Sequence, residues 1–261
     1  MANRYAVATG NWNATGTWSA SSGGSAGASA PVAGDNVFLD AASGAITVTL
    51  SVQGACSTLT CTGFTGTLAL LYNVLTVAGN VTLAPTMAVT VTTTGKINVS
   101  GTLTLTTNGC VVPFLQFVGY GGVVTFADNV TVDTLVFATY TTFVGAVTVT
   151  CARLLSVPLN NVVLPPGLVL VVTTQLYLSL SSIGSGEIRS STASSPVFLV
   201  FTGTPAECRV AQIKFTDIDA SRGGRIDNWY GNTLTRCKNI VNRTSADLVR
   251  PPRTRTLKGR Q

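Results

Sequence analysis

The chain alternates. Residues 80–107, NVTLAPTMAVTVTTTGKINVSGTLTLTT, place Val, Leu or Ile at nearly every second position, with Thr, Ser or Asn between them. AITVTLSV (45–52) and VVTFADNVTVDTLVF (123–137) do the same. Successive side chains of a strand point to opposite faces, so period two is the signature of β-structure with one buried face. Threonine suits the other face, because its β-branching fits a pleated surface while its hydroxyl meets water. No stretch carries apolar residues at helical spacing and the helix formers Glu and Lys are scarce, so little helix is expected.

The strands also resemble one another. LTCTGFTGTLAL from Leu59, LTVAGNVTLAP from Leu75 and INVSGTLTLTT from Ile97 share an apolar-x-apolar start, a small residue, a Gly and a second alternating run. FADNVTV from Phe126 and FVGAVTV from Phe143 repeat a related unit. Repeats about 16 to 25 residues apart with Gly or Asn at the corners predict a parallel β-helix, a β-solenoid whose coils bury their inward faces by stacking. A β-sandwich or jelly roll is the alternative, since it also alternates between closely spaced turns. A solenoid has open edges at its ends and needs caps. The expected organisation is an N-terminal cap over 1–44, a solenoid body over 45–226, a C-terminal cap region over 227–247 and an extended basic arm over 248–261.

Charge is sparse and uneven. Only 10% of residues are charged, and there is no histidine. Residues 1–188 hold three basic and five acidic side chains, whereas residues 189–261 hold thirteen basic and five acidic ones. The basic character therefore belongs to the last quarter of the chain, which reads as a local docking surface. The arm LVRPPRTRTLKGRQ carries Arg250, Arg253, Arg255, Lys258 and Arg260 and no acid. Pro251 and Pro252 keep it from joining a helix or sheet. Docking on an acidic protein surface through Arg–carboxylate bonds, a solvated tail and nucleic-acid binding are its three readings. The first is favoured; nucleic acid is not an expected partner, because the arm has no aromatic side chain for base stacking.

Several classes of chemistry lack their parts. Without histidine there is no Ser-His-Asp or Cys-His arrangement, and no GxxxxGK[ST] phosphate loop occurs. No enzyme activity, cofactor or metal is expected. Thr, Ser, Asn, Gly or Pro interrupts every apolar run, which argues against a membrane helix. The opening MANRYAVATGNWN lacks an apolar signal core, so folding in the cytoplasm with Cys56, Cys61, Cys110, Cys151, Cys208 and Cys237 reduced is expected. One constellation stands out: Lys214, Asp217, Asp219, Arg222 and Arg225 in KFTDIDASRGGR. On a strand Asp217 and Asp219 would share a face, where they could act as a hydrolytic carboxylate pair, bind a cation, or pair with Arg222 and Arg225 across a turn. The last reading is preferred. Trp12 and Trp18 offer either a sugar platform or a cover for the end of the core, the latter being preferred.

Arg4, Tyr5, TGNWNATGTWS (9–19), SGGSAGASAP (22–31) and GDNVFLDAASG (34–44) together resemble a recurrent opening of tailed-bacteriophage virion proteins of the right-handed parallel β-helix type. VAQIKFTDIDASRGGRI (210–226) resembles a late coil of the same group. Ala6 departs from it, standing where Trp is usual, and after NTLTRCKNIV this chain runs on into the basic arm. The resemblance implies a structural component of the virion, made in the host cytoplasm. The expected role is a non-enzymatic capsid decoration or cement protein that self-associates, as a homotrimer, and is fixed to the major capsid protein or another virion protein through its arm. The alternative is a receptor-binding tail fibre or spike in which Trp12, Trp18, Trp229 and Tyr230 contact host glycans.

Overall fold

The computed structural model describes residues 1–119, 121–138, 141–156, 161–179, 186–204, 207–229 and 234–243. They form a β-solenoid of about nine turns of parallel stacked strands with almost no helix, short 3₁₀ turns such as Thr15–Thr17 and Ala41–Ser43 excepted. Strands on the first face begin at Asn36, Thr58, Val81, Leu103, Gly122, Thr141, Asn161, Glu187, Lys214 and Leu234, so one coil takes 19 to 27 residues.

Early coils have three strands each, as in Thr58–Thr60, Thr67–Leu71 and Val74–Val77. The break between the last two is a corner where Leu71 adopts φ 52° and the buried Asn73 amide donates to the Leu50 carbonyl of the coil below. From Leu103 on, the second and third strands fuse into single long ones, Val111–Val118, Val130–Phe137, Thr148–Ser156 and Val169–Ser179. The last of these splits its pairing: Val169 to Val172 pair with Val197–Phe201, and Leu176 to Ser179 with Cys208–Ala211.

Register holds the interior in ladders. Leu75, Ile97, Leu115, Leu135, Leu154 and Leu176 sit in line across successive coils, and all are buried. Removing each such side chain from water contributes roughly 1.5–3 kcal/mol, which is how a chain with so little charge holds together. In the middle coils Phe117, Phe126, Phe137 and Phe143 interlock, the Phe126 and Phe143 rings lying 5.3 Å apart and nearly parallel. Coils touch closely at their corners. A Cβ at Gly66 would collide with the Ile46 carbonyl oxygen and the Phe64 ring, and one at Gly122 with the Gly101 backbone, so these glycines are required for the stacking distance.

The N-terminal end is closed by two tryptophans. Trp12 and Trp18 are 2% and 0% exposed, meet edge to face at 5.1 Å, and are joined by the Trp18 indole N–H donating to the Trp12 carbonyl. Above them lie Leu50, Gly54 and Leu75. The strand Trp18–Ser19 runs antiparallel to Asn3–Ala6 and terminates the first sheet, so this edge of the parallel stack is covered by a short reversed strand.

Three sequence expectations shift. The 16-residue step from Leu59 to Leu75 lies within one coil, because Leu59 pairs with Val81 and Leu75 with Ile97; the coil repeat is their common spacing. The solenoid is longer than 45–226: Asn3–Ala6 and Asn36–Phe38 already stack in parallel at one end, and Ile226–Trp229 pairs with Ile240–Arg243 at the other. Asp217 and Asp219 do not lie on one continuous strand, since Asp217 is a left-handed corner with φ 56° between Lys214–Thr216 and Ile218–Asp219.

Candidate functional site

The C-terminal coils concentrate the charge into stacked pairs. Thr216 lies beside Thr235 in register, so the next residue of each coil, Asp217 and Arg236, forms a corner one above the other, both with left-handed backbone. The Arg236 guanidinium donates to both Asp217 carboxylate oxygens at 2.5 and 2.7 Å, and the Ser194 amide adds a third bond. Two residues on, Asp219 faces Lys238 at 3.2 Å and accepts from the amide and hydroxyl of Ser221. The four charged groups, with Ser194 and Pro196, line a cavity of about 210 Å³.

The chemistry follows from the pairing. The guanidinium bonds of Arg236 hold Asp217 below the usual carboxylate range, and Asp217 in turn raises the pKa of Arg236. Burial pushes Asp219 up, but the Ser221 bonds and the Lys238 ammonium outweigh it, so this carboxyl too is lowered. Carboxylate-pair hydrolysis needs one carboxyl held protonated as a general acid. Neither group is placed to keep a proton near neutral pH. A cation here would meet two positive charges already in position, and among the described residues no three metal-ligating side chains come together.

The partners expected for these carboxylates were different. Arg225 pairs with Asp227, and the Arg222 guanidinium lies 3.5 Å from the Phe198 ring centroid. Lys214 pairs with Glu187 of the preceding coil. Arg236 and Lys238 went unnoticed in the sequence, although LTRCK repeats the spacing of FTDID one 19-residue coil later.

Trp12 and Trp18 are buried in the core and present no face to a sugar, which removes both from the glycan-contact set. Trp229 ends the strand Ile226–Trp229, paired with Ala211 and Arg243, while Tyr230 lies outside the described residues. Arg250, Arg253, Arg255, Lys258 and Arg260 also lie outside them.

No protein-family model, curated protein or solved structure matches the chain.

The body spends its own carboxylates. Asp35 accepts from the Ala2 and Val32 amides, Asp40 caps the turn at Ala42 and Ser43, and Asp128 caps Thr107 and Asn108. Asp133 pairs with Arg153, Glu187 with Lys214 and Asp227 with Arg225, while Glu207 accepts from Gln175. With Asp217 and Asp219 engaged as above, every acidic side chain among the described residues has a partner.

All six cysteines are free thiols. Burial pushes Cys56 and Cys151 up to about 12 and Cys110 and Cys208 to about 11, and it raises Cys61 as well. A thiol that resists ionisation is a poor nucleophile and a poor metal ligand, so these groups act as small apolar residues.

Proposed function

We propose that this chain is a non-enzymatic structural protein of a tailed-bacteriophage virion, a capsid decoration or cement protein. It self-associates as a homotrimer and is fixed to the major capsid protein or another virion protein by its basic C-terminal arm. The observation that carries the reading is the carboxylate census. Five cations follow residue 249, while every acidic side chain among the described residues is already committed to caps, hydrogen bonds or ion pairs, which supports counter-charges for the arm on another molecule. The resemblance of residues 3–44 to the opening of phage β-helix proteins supplies the setting. The exterior, rich in threonine and poor in charge, packs against neighbours with little desolvation penalty.

Removal of residues 248–261 tests the proposal. The truncated protein is expected to fold and to keep its oligomeric mass by analytical ultracentrifugation, yet to lose binding to particles that lack it. Undiminished binding would overturn the anchoring role.

A further inference from the structure

The sheet that holds Lys96–Ser100 and the long fused strands carries an open groove of about 770 Å³ on its outer face. Its floor is a row in register across successive coils: Gln116, Val136, Leu155, Tyr177 and Arg209. Outward positions elsewhere on the solenoid are mostly Thr, Ser or Asn, so an apolar run here departs from the pattern. Each end carries a cation held on an aromatic ring, Lys96 at 5.4 Å from the Phe114 centroid and Arg209 at 5.0 Å from the Tyr177 centroid. Among the described residues neither cation has a carboxylate within ion-pair distance. Asp227, one strand beyond Arg209, is engaged by Arg225. No acidic side chain lines the groove.

Size and charge choose the occupant. Lys96 and Arg209 stand five strand spacings apart, about 24 Å. The lining spans at most four residues of one strand, Cys208 to Ala211, or about 13 Å, so the face offers about 310 Å², under half of the roughly 800 Å² that each partner contributes to a stable protein interface. The volume instead lies within the roughly 300–1,000 Å³ of small-ligand sites. Val136 and Leu155 provide no hydrogen bonds for a sugar's hydroxyls, and cations already cover the two aromatic rings on which a sugar would stack. We infer that this groove binds an elongated anionic amphiphile, an apolar chain lying over Phe114, Val136 and Leu155 with its carboxylate or phosphate on Arg209. The guanidinium fits such a head through two parallel bonds, and its stacking on Tyr177 holds it in place before binding. The occupant is the free molecule rather than a bilayer, since the groove is concave and its surroundings are hydroxylated. The inference is independent of the virion reading.

The test is calorimetric titration of the full chain with palmitate, with hexadecyltrimethylammonium as the cationic control and phosphatidylglycerol vesicles in a sedimentation arm. The expected result is one palmitate per chain, no uptake of the cationic amphiphile and no sedimentation with vesicles. Arg209→Gln, at an exposed site, should weaken palmitate binding about tenfold with an unchanged melting temperature. Leu155→Glu should abolish binding. Absence of palmitate binding, equal uptake of the cationic amphiphile, or an affinity untouched by Arg209→Gln would overturn the assignment. Vesicle binding without palmitate binding would overturn it in favour of a membrane surface. A change of oligomeric mass in Leu155→Glu without palmitate binding to the parent chain would overturn it in favour of a second copy.

Discussion

Arg236 stands one coil above Asp217 and closes both oxygens of its carboxylate, so that a group 3% exposed remains ionised inside the stack. Both residues hold a left-handed corner, and the ion pair adds to the backbone bonds that already join the two coils there, the Asp217 amide to the Thr235 carbonyl and the Lys238 amide to the Ile218 carbonyl. The Arg236 side chain is about half exposed while Asp217 is covered, so removing the cation alone leaves a covered carboxylate without its counter-charge, which removing both does not. Arg236→Gln is therefore expected to lower the melting temperature more than the double variant Arg236→Gln, Asp217→Asn. Equal melting of the two would show that the pair is idle.

The same pair sets an acid limit. The folded-state pKa of Asp217 is lowered by Arg236, so its contribution is fully present above the unfolded value of about 3.9 and is lost as pH falls through the lowered folded value. Asp219 acts in the same direction. Between about pH 5 and pH 2, stability by urea titration should fall less steeply in Asp217→Asn than in the parent chain. A parallel decline would show that this carboxylate has the same pKa folded and unfolded.

Alternation marked the strands and the repeats pointed to the solenoid, because an inward ladder such as Leu75, Ile97 and Leu115 needs nothing beyond apolar residues recurring in register, and that is written directly in the sequence. The coil length was blurred, because Leu59 and Leu75 look alike while lying on different faces of one coil. Ion-pair partners were harder still: Asp217 meets Arg236 only once the 19-residue coil is known, and within the sequence Arg222 and Arg225 are nearer. Burial of Trp12 and Trp18 followed from the need to close an open end. The groove on the long fused strands escaped notice because Gln116, Val136, Leu155 and Tyr177 lie on four strands and become a row only through the register.

Stacking distance at the corners should be unforgiving. Gly66→Ala is expected to destabilise the chain although the added group is a single methyl, because the Ile46 carbonyl in the coil below cannot withdraw without breaking its bond from the Thr67 amide. The control is Gly16→Ala, where nothing lies near the new Cβ. Denaturant midpoints should fall for the first variant and stay within experimental scatter for the second.

Four phenylalanines pack together in the middle coils. Phe143 is 1% exposed and touches Phe117, Phe126 and Phe137. Phe143→Ala should cost roughly 3–5 kcal/mol in urea unfolding, the usual range for a buried phenylalanine. Phe143→Leu fills most of the space and should cost clearly less. Similar losses in both would mean that ring geometry, rather than filled volume, holds these coils.

The thiols report on the core without any substitution. Cys56 and Cys151 are pushed up to about 12 by burial, and burial raises Cys61 too, so at pH 8 almost none of their thiolate exists, while Cys237 is half-buried and less perturbed. Alkylation by iodoacetamide followed by peptide mass mapping should label Cys237 first and leave Cys56, Cys61 and Cys151 untouched until denaturant is added. Rapid native labelling of Cys61 would mean that the coils open at the end closed by the tryptophans. Trp18→Ala makes that opening on purpose, since it removes the indole that fills the end of the core and bonds to Trp12. In that variant, labelling of Cys56 should accelerate while Cys151, several coils away, keeps its protection.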